Sequence, residues 1–200
     1  ETIHGIQFHK PPEVNNTPLV CDASSDFLSR PIEMQCHGIV YACAQKNAGP
    51  SGVTIVLVRK DLLDRSSDDL PGYLNFKNHA EQKSMFNTPP TFGIYVIDLI
   101  CKWLLNDMGG LSQTAEYNQG KANLIYDIID ECSEMYLGHA EREHRSKMNI
   151  AFNLPNEELT TKFIDQAGQQ GLMSLKGHRS VGGIRASLYN AMPREGVLAL

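Results

Sequence analysis

Two charged residues, Lys46 and Asp22, stand at the ends of apolar stretches, where an ionised side chain is unfavourable without a partner. Lys46 follows the run at 37–44 and leads into a glycine-proline turn at 49–52. Asp22 closes a shorter run at 18–21. A charge at the end of a buried strand must be compensated, because removing it from water is unfavourable. The two residues therefore indicate a site that binds a polar ligand.

Pyridoxal phosphate is a ligand that would partner both side chains. Its aldehyde reacts with an amine, and its ring nitrogen pairs with a carboxylate that keeps the ring protonated. The glycines after Lys46 would let the backbone approach such a ligand, and the amide of Gln45 can hydrogen-bond one of its oxygens. Taken alone, the same residues also fit a surface ion pair at Lys46 and a turn or helix cap at Asp22.

Composition argues against several other functions. The net charge of −5, without a basic stripe, gives no reason to expect a nucleic-acid partner. The most apolar segment, 92–105, contains Asp98 and Lys102 and is too short to span a bilayer, so no membrane partner is predicted. His139 and His144 are five positions apart and do not share a helix face, so no metal site is predicted. The five cysteines lack Cys-x-x-Cys spacing, which favours reduced thiols in the cytoplasm.

The hydrophobic pattern predicts an α/β fold in two parts, residues 1–107 and residues 108–200. The first part contains apolar runs typical of strands covered on both faces, followed by a polar irregular segment at 64–88. These runs lie at 18–22, 38–43 and 53–58. A helix from Pro89 to about Asp107 is apolar almost all round, which predicts that it is buried. Ligands of open α/β sheets gather at the carboxyl ends of strands, where Asp22 and Lys46 are placed.

The second part is predicted to be a smaller α+β domain. Its elements are a helix at 112–132, a strand at 148–154, a helix after Asn156, and strands at 172–175 and 183–189. Asn156 and the two glutamates after it form a typical helix start, a capping side chain followed by an acidic first turn. The apolar face of that helix comprises Leu159, Phe163, Ile164 and Ala167.

Four separated segments, 21–31, 44–52, 86–91 and 176–193, resemble the phosphoserine aminotransferases in the same order along the chain. The resemblance covers nearly the whole chain. It implies a class V, fold-type I transferase dependent on pyridoxal 5′-phosphate. Residues 1–107 would then form part of the large, mainly parallel-sheet domain together with the connecting helix, and residues 108–200 would form the small α+β domain. The family chain is substantially longer, and its first part carries further cofactor and substrate residues, so this stretch is expected to be inactive alone.

The resemblance also implies roles for individual residues. The cofactor-binding residues would be Thr2, Asp22, Gln45, Lys46, Asn87 and Thr88. Lys46 would be catalytic, because it would hold the cofactor covalently and then carry a proton between the substrate α-carbon and the cofactor. Asp22 would bind the ring nitrogen. Asn87 and Thr88 would reach the cofactor phosphate of the partner subunit in a homodimer, although their place before Pro89 also fits a helix cap.

The substrate-binding residues implied by the resemblance lie near the end of the chain. Arg185 would bind the α-carboxylate through a two-pronged hydrogen bond. His178 and Arg179 would bind the distal anion, although by themselves they also fit a solvated turn. The implied reaction, in serine biosynthesis, transfers the amino group of L-glutamate to 3-phosphohydroxypyruvate and gives O-phospho-L-serine and 2-oxoglutarate. The alternatives are another fold-type I enzyme, or a non-catalytic module that retains the fold.

Overall fold

The computed structural model describes all 200 residues, which form two compact units. The lysine unit comprises Glu13–Phe27 and Ile32–Trp103, and the arginine unit comprises Glu1–Pro12, Leu28–Pro31 and Leu104–Leu200. Two short segments from the first 31 residues thus join the arginine unit. The roles assigned to residues 1–107 and 108–200 stay a prediction. None of the helices combines the length and the apolar character that crossing a bilayer requires.

The lysine unit contains a three-stranded sheet in the order β1-β2-β3. Its strands are β1 (Val20–Asp22), β2 (Ile39–Cys43) and β3 (Thr54–Val58). β1 runs parallel to β2, with Asp22 opposite Tyr41, and β3 runs antiparallel to β2, with Thr54 opposite Cys43. Because β1 and β2 point the same way, their carboxyl ends lie side by side. This arrangement places Asp22 next to the turn that follows β2.

Only one face of this sheet is covered, which corrects the prediction that the strands are buried on both faces. Val40 and Ala42 of β2 are fully buried, whereas the alternate residues of that strand are partly exposed. Val20 and Val56, which lie on the other face, are 56% and 38% exposed. A continuous apolar run is typical of strands covered twice, but the lysine unit covers its sheet only once.

The helices of the lysine unit follow the sheet in the chain. They are α1 (Lys60–Leu63), α2 (Phe76–Glu81) and α3 (Thr91–Asn106), whose last three residues belong to the arginine unit. The segment predicted to be irregular contains α2, because the Asn75 side chain accepts a hydrogen bond from the Lys77 N–H and caps the helix. The prediction that α3 is buried is wrong. Phe92, Tyr95 and Leu99, which share one helix face, are between 44% and 76% exposed, because this small unit leaves that face uncovered.

The arginine unit packs helices against an antiparallel sheet. Its elements are α4 (Leu111–Glu131), β4 (Leu137–Gly138), β5 (Asn149–Asn153), α5 (Glu157–Gln169), β6 (Ile184–Ser187) and α6 (Arg194–Leu198), with sheet order β4-β5-β6. Ile150 and Phe152 of β5 pack with Ile184 of β6 and with Ile125 of α4 in one core. The predicted apolar face of α5 packs against the same core, and Asn156 caps this helix through a 2.9 Å hydrogen bond from the Leu159 N–H.

One strand predicted for the arginine unit does not form. Residues 172–175 are not extended throughout, because Ser174 has a φ of +64°, outside the region that strands occupy. Its pairing with β6 is limited to an isolated bridge between Lys176 and Ile184, with a 2.8 Å hydrogen bond from the Arg185 N–H to the Leu175 carbonyl. The strand predicted at 183–189 is shorter and comprises β6 alone.

Candidate functional site

Lys46 lies in a closed turn between β2 and β3. The Ala44 carbonyl accepts hydrogen bonds from the Ala48 N–H at 3.2 Å and the Gly49 N–H at 2.8 Å. The Ala44 N–H donates to the Val53 carbonyl at 3.0 Å, which closes the wider loop. Lys46 itself is half-buried. The backbone that carries the amine is therefore fixed by its own hydrogen bonds.

Asn47 anchors this turn to the rest of the lysine unit. Its side chain is buried and donates a 2.8 Å hydrogen bond to the Phe27 carbonyl, in the segment that follows Asp22. Gly49 lets α3 approach the turn, because a Cβ at this position would meet Ile97 Cγ1 at 2.8 Å. Asn47 is not among the site residues predicted from the sequence. Its place directly after the lysine was the available signal, but only the fold shows which carbonyl it binds.

Asp22 faces the Lys46 turn from the end of β1. Burial alone would raise the pKa of this carboxyl, but hydrogen bonds from Ser24 and Tyr41, together with the charge of Lys46, hold the pKa below its ordinary value. The structure therefore brings an ionised carboxylate into the electrostatic range of the lysine amine. Asp22 is nonetheless exposed to solvent, whereas the sequence analysis expected a buried position.

The donor set at this edge of the sheet fits the chemistry of pyridoxal phosphate. Lys46 carries an amine of the kind that reacts with its aldehyde, and Asp22 carries a carboxylate held in its charged form, which suits its protonated ring nitrogen. Gln45 is exposed beside the lysine. The pair predicted to form the centre of the site thus lies at one edge of the sheet, with Asp22 at the end of β1 and Lys46 three residues after the end of β2.

Asn87 and Thr88 lie in the segment before α3 in the lysine unit. Both are exposed, and the Asn87 amide donates a 3.1 Å hydrogen bond to the Thr88 carbonyl rather than to the lysine turn. Helix α3 begins only at Thr91, and neither side chain bonds its first turn. The alternative of a helix cap therefore gains no support. Asn87 lines an open groove of about 940 Å³ together with Gly52 and Val53, at the end of the loop that carries Lys46.

Arg185 and Thr2 meet in the arginine unit. Arg185 lies on β6, and its Nη1 donates a 3.3 Å hydrogen bond to the Thr2 carbonyl. Its Nε is buried and has no hydrogen-bond partner. A buried donor of a guanidinium group is unfavourable when it is unsatisfied. This orphaned donor fits a site for an anion such as a carboxylate.

His178 and Arg179 lie in a tight loop directly before β6. Gly177 donates to the Gly183 carbonyl at 2.8 Å, and a Cβ at Gly177 would lie 1.8 Å from the Gly182 carbonyl oxygen, so only glycine fits. His178 is half-buried, and its Nδ1 lies 2.7 Å from the Ser180 hydroxyl and 3.3 Å from the Ser180 N–H. An N–H group can only donate, so Nδ1 acts as an acceptor there and Nε2 carries the proton. Arg179 is exposed.

A family model described as aminotransferase class-V matches residues 6–200 of the chain. The chain belongs to the class-V aminotransferase family. Its similarity to solved aminotransferases confirms the predicted α/β fold of type I.

Individual class-V relatives narrow the comparison. The phosphoserine aminotransferase of Rhodopirellula baltica is 56% identical over 201 residues, which cover 100% of this chain and 54% of that protein. The phosphoserine aminotransferase of Halalkalibacterium halodurans is 53% identical, over 100% of this chain and 55% of its own length. The chain thus spans about half the length of the curated relatives it matches.

Solved structures of the family agree with this comparison. Phosphoserine aminotransferase from Bacillus circulans subsp. alkalophilus superposes with a TM-score of 0.95 at 48% identity, covering 100% of this chain and 55% of that one. The pyridoxal-phosphate-bound enzyme from Trichomonas vaginalis superposes with a TM-score of 0.92 at 41% identity, covering 100% and 56%. The class-V fold described above is therefore shared along the whole of this chain.

Proposed function

We propose that the protein containing this chain is a phosphoserine aminotransferase. It would transfer the amino group of L-glutamate to 3-phosphohydroxypyruvate, giving O-phospho-L-serine and 2-oxoglutarate in serine biosynthesis. The observation that carries the proposal is the Asp22 carboxylate held charged beside Lys46 at the ends of two parallel strands. Two relatives named phosphoserine aminotransferase, 56% and 53% identical in sequence over the whole chain, support the choice of substrates.

Pyridoxal phosphate, when bound, supplies an aldehyde that condenses with amines and a ring that withdraws electrons from the substrate α-carbon. Lys46 would bind that aldehyde and, once released, move a proton at the α-carbon. General acid–base catalysis of this kind contributes about 10²–10⁴-fold. Asp22 would keep the ring nitrogen protonated because its own charge is stabilised by Ser24, Tyr41 and Lys46. Gln45 and Thr2 would make further contacts with the cofactor.

The residues of the arginine unit would select the substrate. Arg185 would pair with the α-carboxylate, and its buried, unpartnered Nε supports this role because a carboxylate oxygen would satisfy it. His178 and Arg179 would bind the distal anion, a phosphate in one substrate and a carboxylate in the other. The proton on His178 Nε2 that follows from the Ser180 contact supports a donor role toward that anion.

The partner in the proposed enzyme would be a second copy of the chain. Asn87 and Thr88 would then contact the cofactor phosphate of the partner subunit. Two observations support this assignment: both residues are exposed, and α3, which follows them, presents uncovered apolar side chains. A cytoplasmic location is proposed as well, and the free thiols of all five cysteines support it.

Covalent attachment of the cofactor tests the proposal directly. The protein that contains this chain is incubated with pyridoxal phosphate, reduced with borohydride and digested. Mass spectrometry then identifies the modified lysine. Attachment at Lys46 is expected, with complete loss in Lys46→Ala and full retention in Lys60→Ala, which changes an exposed lysine at the start of α1. Attachment to other lysines only, or to none, would refute the cofactor assignment and favour a non-catalytic module.

Substrate choice needs a second measurement. Turnover with glutamate is compared for 3-phosphohydroxypyruvate and for hydroxypyruvate, using the protein that contains this chain, since the chain alone is expected to be inactive. A clear preference for the phosphorylated acceptor is expected, because His178 and Arg179 would otherwise lack a doubly charged partner. Equal rates with the two acceptors would point to another fold-type I transaminase.

A further inference from the structure

Ser24 joins the two strand ends that carry the candidate cofactor residues. Its backbone N–H donates to Asp22 Oδ1 at 2.9 Å, and its hydroxyl donates to the same oxygen at 2.6 Å. The hydroxyl oxygen also accepts a 3.0 Å hydrogen bond from the Cys43 N–H, at the end of β2. One small side chain therefore contacts both β1 and β2.

The Cys43 contact determines the direction of the hydroxyl bond. A backbone N–H can only donate, so it occupies a lone pair of the Ser24 oxygen. The hydroxyl proton is then committed to Asp22, whose ionised carboxylate can only accept. Because Cys43 lies three residues before Lys46, this chain of hydrogen bonds fixes the carboxylate relative to the strand that leads to the lysine.

Two further groups face the same carboxylate. Tyr41, opposite Asp22 on β2, donates a hydrogen bond from its hydroxyl, and the Lys46 amine contributes its charge. Tyr41 interacts with Asp22 from β2, and Lys46 interacts with it from the turn after β2. Ser24 differs from them because it gives the carboxylate two donors on one oxygen and accepts from the neighbouring strand.

We propose that Ser24 is a positioning residue for the cofactor, acting through Asp22. It holds Oδ1 with two hydrogen bonds and leaves Oδ2 outside that clamp, so that the carboxylate keeps one orientation for a protonated ring nitrogen. The proposal rests on the cofactor assignment made above. Ser24 does not itself contact the cofactor in this account, and its effect is transmitted by the charge and orientation of Asp22.

A purely structural role for Ser24 predicts a different outcome. If the serine only links β1 to β2 by hydrogen bonds, its replacement lowers the free energy of unfolding and leaves the pKa of Asp22 unchanged. If it positions Asp22, replacement removes a donor to the charged carboxylate and the pKa of Asp22 rises. The titration of Asp22 therefore separates the two roles.

The first experiment follows the Asp22 carboxyl by ¹³C NMR in the full chain without cofactor. Ser24→Ala is expected to shift the titration midpoint upward, and Ser24→Cys to shift it less, because a thiol is a weaker donor. Ser24→Cys also guards against failure of the alanine variant to fold. Ser25→Ala is the matched control, since that hydroxyl does not bind Asp22, and it should leave the midpoint unchanged. Unchanged midpoints in both Ser24 variants would overturn the proposal.

The second experiment uses the protein loaded with pyridoxal phosphate labelled with ¹⁵N in the ring. In Ser24→Ala the ring nitrogen is expected to lose its proton at a lower pH than in the wild type, while Ser25→Ala behaves as the wild type. Identical ring titrations in Ser24→Ala and the wild type would overturn the proposal. Failure of the cofactor assignment gives a distinct result, no labelled cofactor retained by the wild type.

Discussion

Lys121 is the most deeply buried charged residue of the arginine unit, at 1% exposed. Its amine donates hydrogen bonds to the carbonyls of Leu188, Tyr189 and Met192 at distances between 2.9 and 3.0 Å. Burial lowers the pKa of this lysine to about 8. The side chain thus closes the turn after β6 by donating to three main-chain acceptors, and its function is structural.

Replacing Lys121 with methionine keeps most of the side-chain volume but leaves the three carbonyls without these donors. We expect Lys121→Met to lower the free energy of unfolding by about 2–4 kcal/mol, because buried unsatisfied acceptors are unfavourable. Denaturant unfolding of the chain measures the change. Lys162→Met, at an exposed position of α5, is the control and should change stability little. Equal effects of both substitutions would contradict this account.

At the scale of elements, a glycine sets the distance between α3 and the loop that carries Lys46. A Cβ at Gly93, in the first turn of α3, would lie 2.5 Å from Val53 Cγ2 and 3.6 Å from Pro50 Cγ. Gly49 makes the matching approach from the loop side, against Ile97. The helix therefore buttresses the lysine loop at two points, although much of its other surface is exposed.

Gly93→Ala should destabilise the chain although alanine is the better helix former. The added methyl group forces Val53 or the helix to move, at about 1–3 kcal/mol, which exceeds the gain of about 1 kcal/mol in helix propensity. Gly120→Ala in α4 is the matched control, because nothing lies within 4 Å of its Cβ position. It should stabilise the chain. Thermal unfolding of both variants tests the pair, and a stabilised Gly93→Ala would refute the packing argument.

Local sequence patterns predicted where helices and strands begin and end better than they predicted the burial and tertiary contacts of those elements. The end of β1 at Asp22, the end of β2 at Cys43 and the helix cap at Asn156 follow from short-range patterns that the sequence displays directly. The burial of α3 could not be predicted, because an apolar helix says nothing about what is present to cover it. The role of Ser24 was equally inaccessible, since it depends on the register that brings Cys43 N–H to its hydroxyl.

At the scale of the molecule, the lysine unit exposes several large apolar side chains. Phe92, Tyr95 and Leu99 recur at helical spacing along α3, and Tyr73 and Phe86 pack edge to face in the segment before it, both partly exposed. Such a surface favours association. The proposed second copy of the chain would be one way to cover it.

We therefore expect the chain to self-associate in a concentration-dependent manner. Replacing Phe92, Tyr95 and Leu99 together with serine should shift sedimentation velocity profiles toward the monomer, because the apolar face is removed. Phe8→Ser is the control, since Phe8 is 69% exposed in the arginine unit. A serine triple variant that associates as strongly as the wild type would place the contact elsewhere.

The loop at 177–183, which carries His178 and Arg179 and is closed by a hydrogen bond between two glycines, has a consequence for the thermodynamics of ligand binding. Ordering a flexible loop around an anion consumes conformational entropy, about 1–2 kcal/mol for each backbone residue that is fixed. In this chain the Gly177 N–H is already bonded to the Gly183 carbonyl, and two further bonds to the His178 carbonyl close the turn. That entropy is lost during folding, so an anion that binds here meets a pre-organised backbone and retains more of its interaction energy as affinity.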